Sequence, residues 1–191
     1  MEWKQILAAL ISGGVLTAII KGVFDLIKHK MSLKDAFPNA IKNINRVYAR
    51  LNELKARVEC DRVLIITTHN GGGIPRAGAP LYASVLYETY DKNVESIRDS
   101  WQNRRVDEVF IKMLAQLETE DCVEATIDEM DDGALKYALT AHHLNGTILA
   151  KIKSTPENYY YLSCSFKNTK KINVEAKLSI LDTVSKIKDI L

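Results

Sequence analysis

Asp61 to Gly73, DRVLIITTHNGGG, is the stretch from which the rest of the chain can be read. Arg62 to Thr67 is dominated by aliphatic and β-branched residues, a composition that fits a buried strand. The strand runs into a polar turn, His69-Asn70-Gly71-Gly72-Gly73, whose glycines let backbone approach backbone or ligand closely. A nucleotide cradle would need a helix to start directly after the glycines, so that its N-terminus meets phosphate. Here Pro75, Gly78 and Pro80 intervene and a second apolar run, Leu81 to Thr89, follows. The stretch therefore reads as the first strand and the loop of a β-hairpin.

Upstream, Ile44, Val47, Leu51, Leu54 and Val58 recur at spacings of three and four, which predicts an amphipathic helix over Asn39 to Glu59. That stripe serves equally as a seam between copies or as a face laid on the chain's own sheet. Near the C-terminus, Leu178, Leu181, Val184, Ile187 and Leu191 make a second stripe. Between them, Lys92 to Trp101, Val106 to Leu117 and Asp131 to Leu144 read as helices and Asp121 to Ile127 as a short strand. Thr147 to Ser154 and Tyr159 to Phe166 form a closing hairpin. In its second strand Tyr160, Leu162, Cys164 and Phe166 share one face, and Tyr159, Tyr161, Ser163 and Ser165 the other. The order predicts an α+β domain with one antiparallel sheet of about five strands flanked by helices.

The N-terminal run Ile6 to Ile20 carries no charge, and Ala9, Gly13 and Thr17 form a strip of small side chains at helical spacing. A membrane anchor, a self-associating or docking helix, and a signal peptide or core helix all fit this pattern. As an anchor, the excess of lysines after the run (Lys28, Lys30, Lys34) would leave the remaining chain in the cytoplasm. Residues 1–30 are thus read as this helix, 31–38 as a hinge and 39–191 as the globular domain. Comparing membrane fractionation of the full chain with that of a chain begun at Ser32 tests the anchor, and equal solubility rejects it.

A net charge of +2 gives no argument for nucleic acid. Three cysteines, Cys60, Cys122 and Cys164, lie far apart with no CxxC, a pattern of reduced thiols. His142 and His143 are adjacent on a predicted helix and diverge. Asp128, Glu129, Asp131 and Asp132 form an acidic run that reads as a solvated helix start. No P-loop, GxSxG or HExxH motif is present. No catalytic set and no metal site is expected, and no cofactor can be named.

The leading helix, DRVLIITTHNGGG, the stretch Val106 to Ile127 and the closing hairpin with its helix resemble, in order and spacing, the GAF domain family of sensory α/β domains, relatives of PAS domains. The resemblance covers Phe37 to Leu191. It implies a small-ligand pocket between the sheet and the crossover helices, bounded by His69, Asn70, Gly71, Gly72, Tyr82, Ser84 and the Asp128 to Tyr137 region. It also implies dimerisation through terminal helices, here Ala9, Gly13, Thr17, Ile44, Val47, Leu51, Leu54, Val58, Leu181, Val184 and Ile187. The Asn-Lys…Phe…Asp-Glu signature of cyclic-nucleotide-binding members is absent, and no cysteine is placed to attach a bilin. The function expected is a membrane-tethered, self-associating binding module without catalysis. Two alternatives stand beside it: an assembly protein, for example a small phage component, and a thiol-based methionine sulfoxide reductase using Cys122 and Cys164.

Overall fold

The computed structural model describes Trp3 and residues 15–191, the side chains of 15–17, 19 and 26–35 excepted. Ala9 and Gly13, and the side chain of Thr17, lie outside what is described. The chain divides into two compact units, Met1–Ile44 and Asn45–Leu191. Helix α1, Val15–Val58, is continuous through the expected hinge, with Pro38 inside it. In the first unit Ile20, Val23, Phe24, Phe37, Ile41 and Ile44 are all exposed. Among the described residues no helix is long and apolar enough to cross a membrane.

In the second unit, α1 ends at Val58 and Glu59 takes a left-handed φ of 49°. This is the usual device for stopping a helix. The chain continues as β1 (Arg62–His69), β2 (Tyr82–Tyr90), the two-residue β3 (Arg104–Arg105), α2 (Glu108–Gln116), β4 (Cys122–Thr126), α3 (Ala134–Ala141), β5 (Gly146–Ser154), β6 (Asn158–Phe166) and α4 (Val174–Ile187). The sheet is antiparallel, with order β3-β2-β1-β6-β5-β4. Six strands stand where about five were expected, because the short β3 adds to the edge beyond β2.

Strand alternation sorts side chains between two cores. On one face Val63, Ile65, Ile148, Ile152, Leu162, Cys164 and Phe166 meet Val47, Leu51, Leu54 and Val58 of α1 and Ala176, Ile180, Val184 and Ile187 of α4. Apart from the exposed Ile44 and Leu178, the helical stripes read as a possible seam thus close the chain's own core, with Leu181 half-buried at its margin. Leu178, expected on the stripe, is exposed, and Ile180 takes the buried position. On the other face Leu64, Ile66, Ala83, Val85, Leu149 and Tyr161 meet Phe110, Met113 and Leu117 of the α2 region and Leu135 and Leu139 of α3.

Lys92 to Trp101 was expected to be helical, and it forms turns instead. Distant partners take its backbone groups. The Ile97 and Arg98 N–H groups donate to the Glu88 carboxylate at 3.0 and 3.2 Å, and Val85 N donates to Trp101 O at 3.1 Å. Trp101 is buried, its ring edge-on to Phe110, so it belongs to the core.

Candidate functional site

The glycine loop is a closed hydrogen-bonded unit. Gly71 N donates to His69 Nδ1 at 3.2 Å, which leaves the ring proton on Nε2, 3.0 Å from Ser84 Oγ. Ser84 Oγ also accepts from Asn103 N at 2.9 Å. Asn70 Oδ1 accepts from Gly73 N and its Nδ2 donates to Ile74 O. Tyr82 lies beside the His69 ring, centroids 6.2 Å apart. The structure thus brings His69, Tyr82 and Ser84 together, with Asn70, Gly71 and Gly72 in the adjoining loop. Alternation from Ile65 and from Ala83 and Val85 places His69, Tyr82 and Ser84 on the sheet face away from the crossover helices. Gly71 and Gly72, at φ 84° and 112°, are exposed and form the turn itself. Tyr137, from the expected opposite rim, is exposed.

The sheet face beneath α2 and α3 differs from one end to the other. At the end where β1 begins it is polar and largely hydrogen-bonded within itself, with Arg62 Nε the buried atom left without a hydrogen bond. Thr147 Oγ1 donates to Cys164 O at 3.0 Å and meets Ser163 Oγ at 2.9 Å, with Ser165 Oγ 3.4 Å away. Beside them the buried Arg62 sets Nε 3.5 Å from Glu88 Oε1, and its Nη2 donates to Glu95 O at 2.5 Å. Burial, and then the neighbouring Arg62 charge, hold His142 below its ordinary range.

At the other end the face is apolar and open. Thr68 and Tyr159 of the sheet, Pro75 and Leu81 of the loop, and Ile111, Leu114 and Ala115 of α2 enclose a groove of about 380 Å³. Its floor is chemically unfinished. The Thr68, Tyr159 and nearby Tyr161 hydroxyls are buried without a well-formed hydrogen bond, as are Thr67 Oγ1 and Arg62 Nε away from the groove. Thr68 is 5% exposed and Tyr161 is fully buried. Burial pushes both phenols far above their usual ionisation range; the adjacent Glu118 carboxylate adds to this at Tyr159, by its charge and as a hydrogen-bond neighbour, whereas the adjacent Thr68 hydroxyl, a hydrogen-bond neighbour of Tyr161, opposes it there. They remain neutral hydroxyl donors throughout the physiological range.

Leaving a buried hydroxyl unpaired costs roughly 1–3 kcal/mol, so its retention asks for a reason. Tyr161→Phe is therefore expected to stabilise the ligand-free protein, by about 1 kcal/mol in urea unfolding. A loss of stability would mean that the hydroxyl is paired. The sequence signal for this floor was the hydroxyl-bearing face of β6, Tyr159, Tyr161, Ser163 and Ser165, read as strand alternation only.

The cysteines lie elsewhere. Cys60 and Cys164 are buried in the core between the sheet and the terminal helices, and Cys122 packs at its edge. Burial raises both the Cys122 and the Cys164 thiols, with neighbouring Cys60 adding to the effect at Cys164. This is the opposite of what a thiolate nucleophile needs. Among the described residues no group of three or more His, Cys, Asp or Glu is arranged to hold a metal ion.

No family model matches this chain, and no curated protein matches it significantly. Solved structures do. The GAF domain of a two-component sensor histidine kinase from Bacillus halodurans superposes with a TM-score of 0.53 at 13% identity, over 78% of this chain and 90% of that one. The fold is a GAF fold. A far-red cyanobacteriochrome photoreceptor gives a TM-score of 0.56 at 12% identity, over 87% of this chain and 94% of that one. The photosensory core module of a Stigmatella aurantiaca phytochrome gives 0.51 at 11%, over 84% of this chain and 37% of that one. Identities this low carry the GAF architecture and no more. The open groove lies between sheet and crossover helix, as the GAF resemblance implies, but its lining is Thr68, Leu81, Ile111, Leu114 and Tyr159.

Proposed function

We propose that this chain is a non-catalytic GAF-like binding module that takes a small ligand in the groove between β1, β6 and α2. What supports this is an open cleft of about 380 Å³ between the sheet and α2, walled by Pro75, Leu81, Ile111, Leu114 and Ala115, with Thr68 and Tyr159 of the sheet beneath. Ligand sites of about 300–1,000 Å³ combine apolar walls with a few fixed polar groups in this way. The neutral environment-sensitive dye prodan provides the test. Its emission is expected to shift to the blue saturably, with one dye per chain. Ala115→Trp, on an exposed helix position at the groove, should abolish the shift without changing the fold. Equal emission from both proteins rejects the groove as the site.

Self-association is the second part of the proposal, and of the α1 stripe it keeps only the exposed Ile44. Phe37, Ile41 and Ile44, spaced by four and three, share one side of α1 and are 75%, 46% and 41% exposed. A long helix gains most of its stability from packing an apolar face, and a second copy supplies an identical one. Ile41→Asp is expected to convert a dimer to a monomer in sedimentation equilibrium. If the unaltered chain is already monomeric at high concentration, this seam does not exist.

A further inference from the structure

The groove does not stand alone. Beside it lies a second depression of about 520 Å³, lined by the loop from Pro75 to Leu81 and by Arg105, Val106 and Ile111. Pro75, Leu81 and Ile111 line both hollows, so the two run into one another. The chemistry changes along this combined cleft. Its middle is apolar, with Leu81, Ile111, Leu114 and Ala115, and the adjoining Ile74 is 69% exposed. One end carries Glu118, whose carboxylate Lys151 Nζ engages at 2.7 Å. The other end carries Arg76 and Arg105, both exposed. Carboxylates close to Arg105 in sequence are committed elsewhere. Asp107 accepts from the first turns of α2 and α3, and Glu108 pairs with Lys112 at 3.0 Å. Among the described residues no carboxylate forms an ion pair with Arg76 or Arg105.

We propose that the two hollows form one amphipathic site, and that its ligand is a small soluble anion with an apolar body. The body lies on Leu81, Ile111, Leu114 and Ala115, and a carboxylate-like head meets Arg76 and Arg105. This rests on the groove being the binding site. Guanidinium groups match carboxylates in shape as well as in charge, and their weak hydration lets them sit beside hydrocarbon. A neutral ligand would use the apolar walls alone and leave both arginines to water. A cationic one would be repelled at that end. The opposite orientation gains nothing, because the head would meet the Glu118 carboxylate, which Lys151 already neutralises. Both arginines face solvent, so the attraction is screened and should weaken as salt is added.

Octanoate, octanamide and octylammonium share a body and differ in charge. They are titrated into the full chain and followed by NMR shifts of the Leu81, Ile111 and Leu114 methyl groups. At low salt octanoate is expected to bind about fivefold more tightly than octanamide, the increment of two exposed charge contacts, with octylammonium weakest. Replacing both arginines, Arg76→Gln with Arg105→Gln, should bring octanoate down to octanamide and leave octanamide unchanged, which also shows that the fold is intact. Arg76→Glu with Arg105→Glu should reverse the order in favour of octylammonium. Octanoate no tighter than octanamide, or an excess that survives the glutamine pair, overturns the anionic ligand class while leaving the groove as a site. Failure of all three probes to shift the methyls overturns the site itself, and the ligand class with it. A free acid further requires that the glutamine pair leave co-sedimentation with phosphatidylglycerol vesicles unchanged. A loss there overturns the soluble ligand in favour of a lipid headgroup.

Discussion

Replacing Glu88 by alanine is expected to lower the stability of the fold by about 3–5 kcal/mol, the cost of removing one partner from a buried ion pair. The Glu88 and Arg62 side chains are 3% and 2% exposed, so neither charge has water to fall back on. Glu88 does more than neutralise Arg62. It accepts from the Ile97 and Arg98 amides and from the Ser96 hydroxyl, and it thereby fixes the irregular segment beside β2 to the sheet. Without it, Arg62 keeps its bond to Glu95 O but loses its counter-charge, and two loop amides lose their acceptor. Urea unfolding gives the global cost, and hydrogen exchange gives its location: the Ile97 and Arg98 amides should exchange faster than those of β6. Replacing both partners by apolar residues, Arg62→Met with Glu88→Leu, should recover most of the loss, because what is costly is the stranded charge. A loss below about 1 kcal/mol for the single variant would show that Arg62 finds solvent or another partner when the carboxylate is gone.

The same pair shows where sequence reading stops. β1 was legible because Val63, Leu64, Ile65 and Ile66 are apolar on both sides of the pleat, and both faces are covered. The alternation of β6 was legible too, since Leu162, Cys164 and Phe166 do face one core and Tyr161 the other. Lys92 to Trp101 was misread because its local pattern says nothing of a carboxylate on the preceding strand that captures its amides. Propensity is a weak prior, and tertiary hydrogen bonds override it. The stripes of α1 and α4 were found mostly at the right residues, but nothing in their spacing distinguishes a copy of the chain from the chain's own sheet.

The site was the least legible part. Glycines after a strand draw attention, and the loop His69 to Gly73 proves to satisfy its own polar groups. The groove is assembled from Thr68, Leu81, Leu114 and Tyr159, which are distant in sequence and individually ordinary. What joins them is the open apolar cleft they line, and a cleft is visible only once every neighbour has been placed.

Asp107→Ala is the second large effect, expected to cost about 2–3 kcal/mol, because one carboxylate caps two helices. Its Oδ1 accepts from Phe110 N at 2.9 Å in the first turn of α2, and its Oδ2 accepts from Ala134 N at 2.5 Å at the start of α3. The cap of α3 is therefore not a neighbour in sequence; Gly133 holds the N-cap position and has no side chain to offer. Asp131 and Asp132, read from the sequence as part of a solvated helix start, are exposed, and Asp132 pairs with Lys136. A single negative charge at two positive helix ends adds dipole stabilisation to both bonds. Asp107→Asn separates the two roles. Its amide keeps one oxygen for one helix and turns an N–H donor toward the other, so roughly half of the alanine penalty should remain. The partial loss should be accompanied by faster hydrogen exchange in one helix rather than both. Gly133→Ala probes the same junction from the other side. The added methyl would stand 3.0 Å from Asp107 Oδ2 and 3.1 Å from Val109 Cβ, and should weaken the shared cap. If the alanine and asparagine variants at Asp107 melt together, the two bonds are not independent, and the carboxylate acts through its charge alone. Since α2 carries one wall of the groove, fraying of its first turn should also weaken prodan binding in Asp107→Ala while leaving the Thr68 and Tyr159 hydroxyls in place.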